Sequence, residues 1–410
     1  MNNKAFLITG GNFTNKGAQS MLLITISELR KRYKDCRIVI LPLDDYRQYA
    51  SRGLKNIIAI SNHPDIHPAD ESVVTALFLT AKNILRFCFG KNNVISGLWK
   101  YRNTLRHVDA IVDISGFCLS SQFCVDYNVQ LLQTLEDGIR HNIPIVLMPQ
   151  SFGPFTYKQN CEEMVERIRK DLSAARVVFS REKTGYDLLT KELGLKNVRS
   201  SLDLVLQNKS IDMDVIFEKK PEILIPKITT HDNVAVIPNS MNVTHSDLNV
   251  VIWTYQNTIT MLRNRNKTVY VMYHSNADRS LCDKIIQPFA DDTGVVFLDS
   301  DFACYQYDQI VRKMDYIIGS RYHSIVHAYK NAIPSIIFGW ADKYYALAAI
   351  FDQQEYVLDV RGVIDSNWIS NALDKMEHNK AKYSQDIRSK LIEIQKDNCF
   401  QVLEEVIPEK

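Results

Sequence analysis

The chain has no run of roughly 20 apolar residues, the length a membrane-spanning helix requires. The nearest approach, Phe78–Gly90, is broken by Lys82, Asn83 and Arg86. The apolar stretch near the start (MNNKAFLITGG) ends at Gly10, too early for a signal-peptide core followed by a cleavage site. A soluble protein is therefore expected. Charge of one sign is also missing: Lys plus Arg number 49, Asp plus Glu 47, and the formal net charge is +2. A general nucleic-acid binder would show a stronger basic footprint. Paired cysteines are absent too. Cys36, Cys88, Cys118, Cys124, Cys161, Cys282, Cys304 and Cys399 form neither a CxxC pair nor a zinc-type quartet. In a chain this large they read as reduced, mostly buried thiols of a cytosolic protein. The first strand is followed by neither the dinucleotide fingerprint nor the P-loop pattern, so neither site is expected there.

What is present suits two ordinary cores. The 410 residues are 46% hydrophobic and 23% charged, which favours two domains over one. Ala5–Thr9, Arg37–Leu41, Asn56–Ile60, Ala110–Ile114, Ile143–Met148, Arg176–Ser180 and Val198–Leu202 are short apolar runs, as parallel strands covered on both faces tend to be. Between them Lys16–Tyr33 carries Ala18, Met21, Leu22, Thr25, Ile26 and Leu29 at helical spacing. Gln159–Leu172 and Thr184–Leu193 are further predicted helices. Lys209–Asn233 mixes charges, prolines and isolated apolar residues, and the domain connection is expected there. The alternation then restarts, with strands at Val234–Ile237, Thr268–Tyr273, Val295–Leu298, Tyr316–Ile318 and Ser335–Phe338. Helices are expected at Leu248–Arg263, Arg279–Phe289 and Ile369–Ile394, the last packing back across the cleft. Repeated βαβ units predict an α/β chain with Rossmann-like domains over 1–220 and 221–410, and ligands at the carboxyl ends of the strands.

Several strand-to-loop transitions carry polar groups. Gly10-Gly11-Asn12-Phe13-Thr14-Asn15-Lys16-Gly17-Ala18 leads into the first helix, whose unpaired amides would suit an anion or a polar substrate group. The plainer reading is a turn that lets the helix pack. Asp113 is a carboxylate in an apolar strand: either a base with a raised pKa or a structural acceptor for the following turn. Gln150, before Gly153-Pro154, can donate and accept. Arg181 follows a strand, where its fork suits a carboxylate or phosphate, or simply pairs with Glu182. In Gly319-Ser320-Arg321-Tyr322-His323-Ser324, Arg321 and His323 would flank an anion at a helix start. His327 lies four residues after His323, but no third ligand accompanies the pair, and no metal is expected. Pro64 and Pro68 break any helix that would align His63 with His67. His274, Asn276, Asp278, Trp340 and Lys343 sit in loops that would converge on the same edge, with Trp340 or Tyr344 stacking on a sugar or filling the core.

In this order, Gly10–Ala18, Asp113–Gly116, Gln150–Pro154, Ser180-Arg181-Glu182, His274–Asp278 and Gly319–His323 through Lys343 resemble the polysaccharide pyruvyl transferase family. Two positions depart from its pattern: Ala18 follows Gly17 where Asp is common, and Phe117 follows Gly116 where a glycine pair is common. The resemblance implies a GT-B-like fold of two Rossmann-like domains, with the acceptor on the N-terminal and the donor on the C-terminal side. It implies transfer of a pyruvyl group from phosphoenolpyruvate to a sugar or lipid-linked glycan as a cyclic ketal, in the cytoplasm and at the inner face of the membrane, without a cofactor. On this likeness Arg181, Ser320, Arg321, His323 and Ser324 would hold the donor. Asp113, Arg321 and His323 would be catalytic. Asn12, Asn15, Gly17, Gln150, His274, Asn276, Asp278, Trp340 and Lys343 would line the cleft or the acceptor side.

The same architecture admits a glycosyltransferase with a nucleotide-sugar donor, its diphosphate held by Arg321, His323 and the helix start. A non-catalytic sugar-binding protein is a third reading. Because His323 and His327 lack a third ligand, treatment with a chelator should leave the core reaction intact. A stoichiometric metal lost together with activity on chelation, with activity restored on its return, would refute it.

Overall fold

The computed structural model describes residues 3–61, 93–122, 124–362 and 364–408. Phe78–Gly90, the His63 and His67 pair with Pro64 and Pro68, and Cys88 lie outside them. The first sheet holds β1 (Ala5–Thr9), β2 (Arg37–Leu41), β3 (Ile57–Ala59), β4 (Ala110–Asp113), β5 (Ile145–Gln150), β6 (Val177–Ser180) and β7 (Val198–Ser200). Their spatial order is β3-β2-β1-β4-β5-β6-β7. The second holds β8 (Asn233–Ile237), β9 (Thr268–Val271), β10 (Val295–Phe297), β11 (Tyr316–Gly319), β12 (Ser335–Gly339) and β13 (Val357–Asp359), ordered β10-β9-β8-β11-β12-β13. Every neighbouring pair is parallel. The central strands are buried along their whole length, which is why they read as unbroken apolar runs rather than as alternation.

Some elements escaped the sequence pattern. β13 is a three-residue edge strand ending in Asp359, too short to show a period. The helix Val125–Arg140 is interrupted by Asp and Gly, and Cys304–Val311 by polar residues. The helix expected over Thr184–Leu193 divides into Lys183–Asp187 and a π-turn at Leu188–Glu192.

The Lys16–Arg32 helix is more deeply buried than its stripe of apolar residues suggests. Every residue from Lys16 to Leu29 is buried. One side lies on its own sheet. The other meets Leu204–Gln207, Met213–Ile216, Cys304–Val311 and Tyr322–Lys330. One apolar core consequently runs through both halves, from Phe6 and Leu22 to Ile318, Ile325 and Phe400. The chain also comes back to where it began. Tyr33 Oη donates to the carbonyls of Leu403 (2.8 Å) and Ile407 (3.0 Å). Asn398 Nδ2 donates to Glu28 Oε2 (3.0 Å), and the Cys399 amide to Gln207 Oε1 (2.8 Å). Among the described residues no helix is long and apolar enough to cross a membrane.

The halves meet closely at Gly17. A Cβ there would lie 2.2 Å from His323 Cγ and 2.5 Å from its Cβ. These are the rooted atoms of the imidazole, so the side chain cannot swing clear. Gly17→Ala would gain helix propensity but lose more to overpacking. We expect net destabilisation of about 1–3 kcal/mol, read as a lower melting temperature. An unchanged or raised value would show that the seam can open without cost.

Candidate active site in the cleft between the sheets

In each sheet the strand order reverses beside the first strand, between β1 and β4 and between β8 and β11. Such switch points leave a crevice beyond the carboxyl ends of the strands. Here the two crevices face each other and form one cleft of about 200 Å³. Asn12, Asn15, Arg181, His274, Arg321, His323, Trp340 and Lys343 line it, as do Phe117, Asn239, Tyr322 and Tyr344. Asp113, Gln150, Ser320, Ser324 and Asp278 are buried behind that lining, Asn276 is exposed outside it, and Gly17 is at the seam.

Asp113, expected as a base, is fully buried at the end of β4. Its oxygens accept from Thr9 Oγ1 (2.7 Å), Ser115 Oγ (2.6 Å), the Ser115 amide (3.3 Å) and Gln150 Nε2 (2.9 Å). Burial pushes its pKa up, against the pull of Ser115, Gln150 and Thr9. With its lone pairs so engaged it shapes the Ser115–Gly116 turn. Gln150 is its partner rather than a cleft group. Ser320 and Ser324 are likewise spent: Ser320 Oγ donates to the Phe338 carbonyl, and Ser324 Oγ to that of Arg321 (2.6 Å). Neither hydroxyl is available to a donor.

Arg181 and His323 converge on a residue the motif reading passed over. Arg181 Nη1 donates to Asp203 Oδ2 (2.7 Å). Its Nε donates to Ser151 Oγ (2.9 Å) and Glu182 Oε1 (3.0 Å), and its plane lies 4.1 Å from the Tyr322 ring centre. Burial works against this charge, but Tyr322, Glu182 and Asp203 outweigh it and the pKa rises. From the other half, His323 Nε2 stands 3.4 Å from the same Asp203 oxygen. That is an electrostatic contact, and Nε2 has no hydrogen-bond partner among the described residues. Burial opposes the Asp203 charge too, yet His323, Arg181 and the Val205 amide hold the carboxyl well below its usual range. Burial pushes His323 down despite Asp203. The permanently charged guanidinium beside it is what keeps Asp203 ionised. Asp203 was legible as a carboxylate just beyond a strand and before the apolar Leu204–Leu206, a helix-cap position it does occupy.

Arg321 grips fully buried Asp278 with both prongs, Nε to Oδ2 at 2.8 Å and Nη2 to Oδ1 at 2.6 Å. Asp278 is thus the anchor of Arg321 and not a cleft ligand. Asn276 accepts from Lys16 Nζ (3.4 Å), which also pairs with Asp301 across the seam. His327 is structural, its Nδ1 on Asp308 (2.6 Å) and its Nε2 on Ser20 Oγ (3.2 Å). Among the described residues no cluster of three or more His, Cys, Asp or Glu side chains could hold a metal.

The two helix starts that face the cleft differ. The first is closed. Asn15 Oδ1 accepts from the amides of Gly17 (2.9 Å) and Ala18 (3.3 Å), and the Lys16 amide donates to the His274 carbonyl (3.2 Å). An isolated antiparallel bridge between Asn15 and Ser275 completes this closure. These amides are spent on the cap and on the opposite half, which accords with the plainer reading of a turn that lets the helix pack. The Tyr322–Lys330 helix has no side-chain cap at Arg321. Its Tyr322 and His323 amides find no acceptor among the described residues. Beside it, Lys343 Nζ lies 3.9 Å from the Phe117 ring centre, 5.0 Å from that of Trp340 and 5.7 Å from that of Tyr344. Burial, then Arg181 and Arg321, push the Lys343 amine down to about 7. Trp340 stacks on His245 at 4.1 Å.

The comparisons accord with this layout. A model of the family described as polysaccharide pyruvyl transferase matches residues 15–342. The chain belongs to that family, and it is an enzyme. No protein of curated function matches it in sequence. Solved structures match it over its whole length. UDP-GlcNAc 2-epimerase from Neisseria meningitidis, bound to UDP-GlcNAc, has a TM-score of 0.62 at 13% identity, covering 98% of this chain and 99% of that one. HepE from Anabaena, in complex with UDP and glucose, has 0.56 at 9%, covering 98% and 97%. MurG from Acinetobacter baumannii has 0.51 at 9%, covering 98% and 99%. At these identities the likeness shows the fold, which is GT-B-like with two Rossmann-like domains.

The phosphoenolpyruvate donor and the pyruvyl ketal product do not stand. The structures that share the whole architecture include complexes with UDP, glucose and UDP-GlcNAc. Arg181, one of the two arginines assigned to that donor, is locked in the cleft wall by Glu182 and Asp203. Family membership fixes the scaffold, and the donor is decided by the site.

Removing the shared carboxylate tests this network. Asp203→Asn leaves Arg181 short of a buried partner and should cost roughly 3–5 kcal/mol. Because the folded pKa of Asp203 is depressed, its stabilisation is present above the ordinary carboxylate range and lost as pH falls through the folded pKa. Acidification below about pH 4 should therefore narrow the gap in melting temperature between wild type and variant. A gap that stays constant down to pH 2 would refute the assignment.

Proposed function

We propose that this enzyme is a GT-B-type glycosyltransferase that uses a nucleotide-sugar donor in polysaccharide biosynthesis. One observation carries the reading: the uncapped start of the Tyr322–Lys330 helix opens on the cleft between Arg321 and Lys343. Two amides, a helix dipole and two cationic side chains suit a diphosphate. Residues 1–220 are taken as the acceptor side and 221–410 as the donor side. The cleft of about 200 Å³ is small for a whole nucleotide sugar, so admitting the donor would part the halves along the Gly17–His323 seam. Seven described cysteines without disulfides fit a reducing compartment, and we place the enzyme in the cytoplasm.

His323 takes the role first given to Asp113. An acceptor hydroxyl attacks the anomeric carbon, the bond from that carbon to the diphosphate oxygen breaks, and the hydroxyl proton passes to the His323 imidazole. The imidazolium then faces ionised Asp203, which stabilises it. Arg321, Lys343 and the open amides receive the charge growing on the departing diphosphate. The reading is tested by incubating the enzyme with UDP-glucose or UDP-GlcNAc and a glycan panel. Glycan gain of one sugar with UDP release is expected; neither nucleotide binding nor transfer would sink it.

Lys343 gives a pH signature. An amine near 7 is charged at pH 6 and largely neutral at pH 8, so affinity for UDP should fall over that interval by up to about tenfold. Lys343→Met should bind weakly and without this slope. Equal slopes in calorimetric titrations of both proteins would exclude Lys343 from the phosphate site.

A further inference from the structure

His274 is a buried polar group in the cleft that the scheme above leaves unused. It follows β9 and is fully buried, yet it contributes to the cleft wall. Neither Nδ1 nor Nε2 has a hydrogen-bond partner among the described residues. Two orphaned ring nitrogens at one buried site are costly unless a ligand or water satisfies them. The ring is held rigidly. Tyr307 meets it edge-on at 5.2 Å, His327 lies 5.7 Å away, and His323 lies 6.5 Å away in a nearly parallel plane, at 8°. Its carbonyl accepts from the Lys16 amide across the seam (3.2 Å). A side chain fixed so firmly, with nothing to bond, is prepared for a partner that arrives with the substrate.

The surroundings say what kind of partner. Burial first, then His327, His323, Lys16 and Arg321, drive the imidazole pKa well below its ordinary value. These surroundings disfavour the protonated ring. It is therefore a poor base, and it brings no charge to a phosphate. A neutral imidazole offers one N–H donor and one lone pair, a pair of functions that matches sugar hydroxyls.

We infer that His274 binds a hydroxyl of the transferred sugar and so selects which nucleotide sugar the enzyme accepts. The inference rests on the nucleotide-sugar reading above. Sites that hydrogen-bond a substrate hydroxyl reject analogues lacking it far more sharply than apolar pockets do. His274 is then a specificity determinant, distinct from the groups that hold the diphosphate.

Binding of UDP, UDP-glucose and UDP-GlcNAc should be measured by calorimetry on wild type and on His274→Phe, which keeps a flat ring against Tyr307. For the better sugar, the ratio of nucleotide-sugar to UDP affinity should drop by about tenfold in the variant while UDP affinity stays within about twofold. An unchanged ratio, or an equal loss for UDP, overturns the inference. If the wild type binds none of the three, the donor reading falls and this inference with it, a failure visible before any substitution. Single-deoxy analogues of the better UDP-sugar keep the test independent of the variant's folding. In the wild type one deoxy position should cost about tenfold, and that cost should vanish in a folded variant, His274→Phe or His274→Gln. A wild type indifferent to every deoxy position overturns the assignment.

Discussion

One buried carboxylate ties this molecule together. Asp203 belongs to the N-terminal half, where it neutralises Arg181. It also faces His323, which arrives from the C-terminal half. A charge in such a place is tolerated only because a guanidinium stands beside it and an amide caps it. The Leu204–Gln207 helix that Asp203 caps packs between the Lys16–Arg32 and Tyr322–Lys330 helices. The same residue therefore sets the approach of the two halves and the electrostatic state of the histidine in the cleft.

From that constraint the rest of the site follows. His323 can reach Asp203 only because Gly17 leaves room for its ring. The start of the first helix is consumed in making the seam, through Asn15, Lys16 and the His274 carbonyl. The start of the Tyr322–Lys330 helix is left open to a ligand. Two helix starts of similar appearance in sequence so acquire opposite roles, one as a joint and one as an anion site. The arginines divide in the same way: Arg181 is locked into the wall, while Arg321 is braced by Asp278 with its guanidinium edge at the cleft.

Phe117 and Ala18, where the chain departs from its family's pattern, both line the cleft. Phe117 puts an aromatic face under Lys343. With Trp340 and Tyr344 it offers ring faces that attract a cation, but burial, Arg181 and Arg321 outweigh them and make the charged form costly. A lysine so placed gains most when an anion enters, which ties the departure at residue 117 to the proposed donor chemistry.

The sequence by itself determined the layers of the fold. Strands buried on both faces must be apolar at successive positions, so nearly all announced themselves, along with the restart after Asn233. It also brought Arg321, His323, His274 and Lys343 into view, because polar residues just beyond apolar strands stand out. It could not show which polar groups were already satisfied. Asp113, Gln150, Ser320 and Ser324 looked as available as His274, and only the packed structure shows those four hydrogen-bonded while neither ring nitrogen of His274 has a partner among the described residues. Asp203 stayed hidden because its importance comes from partners 22 and 120 residues distant along the chain. Spacing reports what lies on one helix or strand. Hydrogen-bond satisfaction and charge pairing depend on which elements come together, and tertiary structure alone decides that.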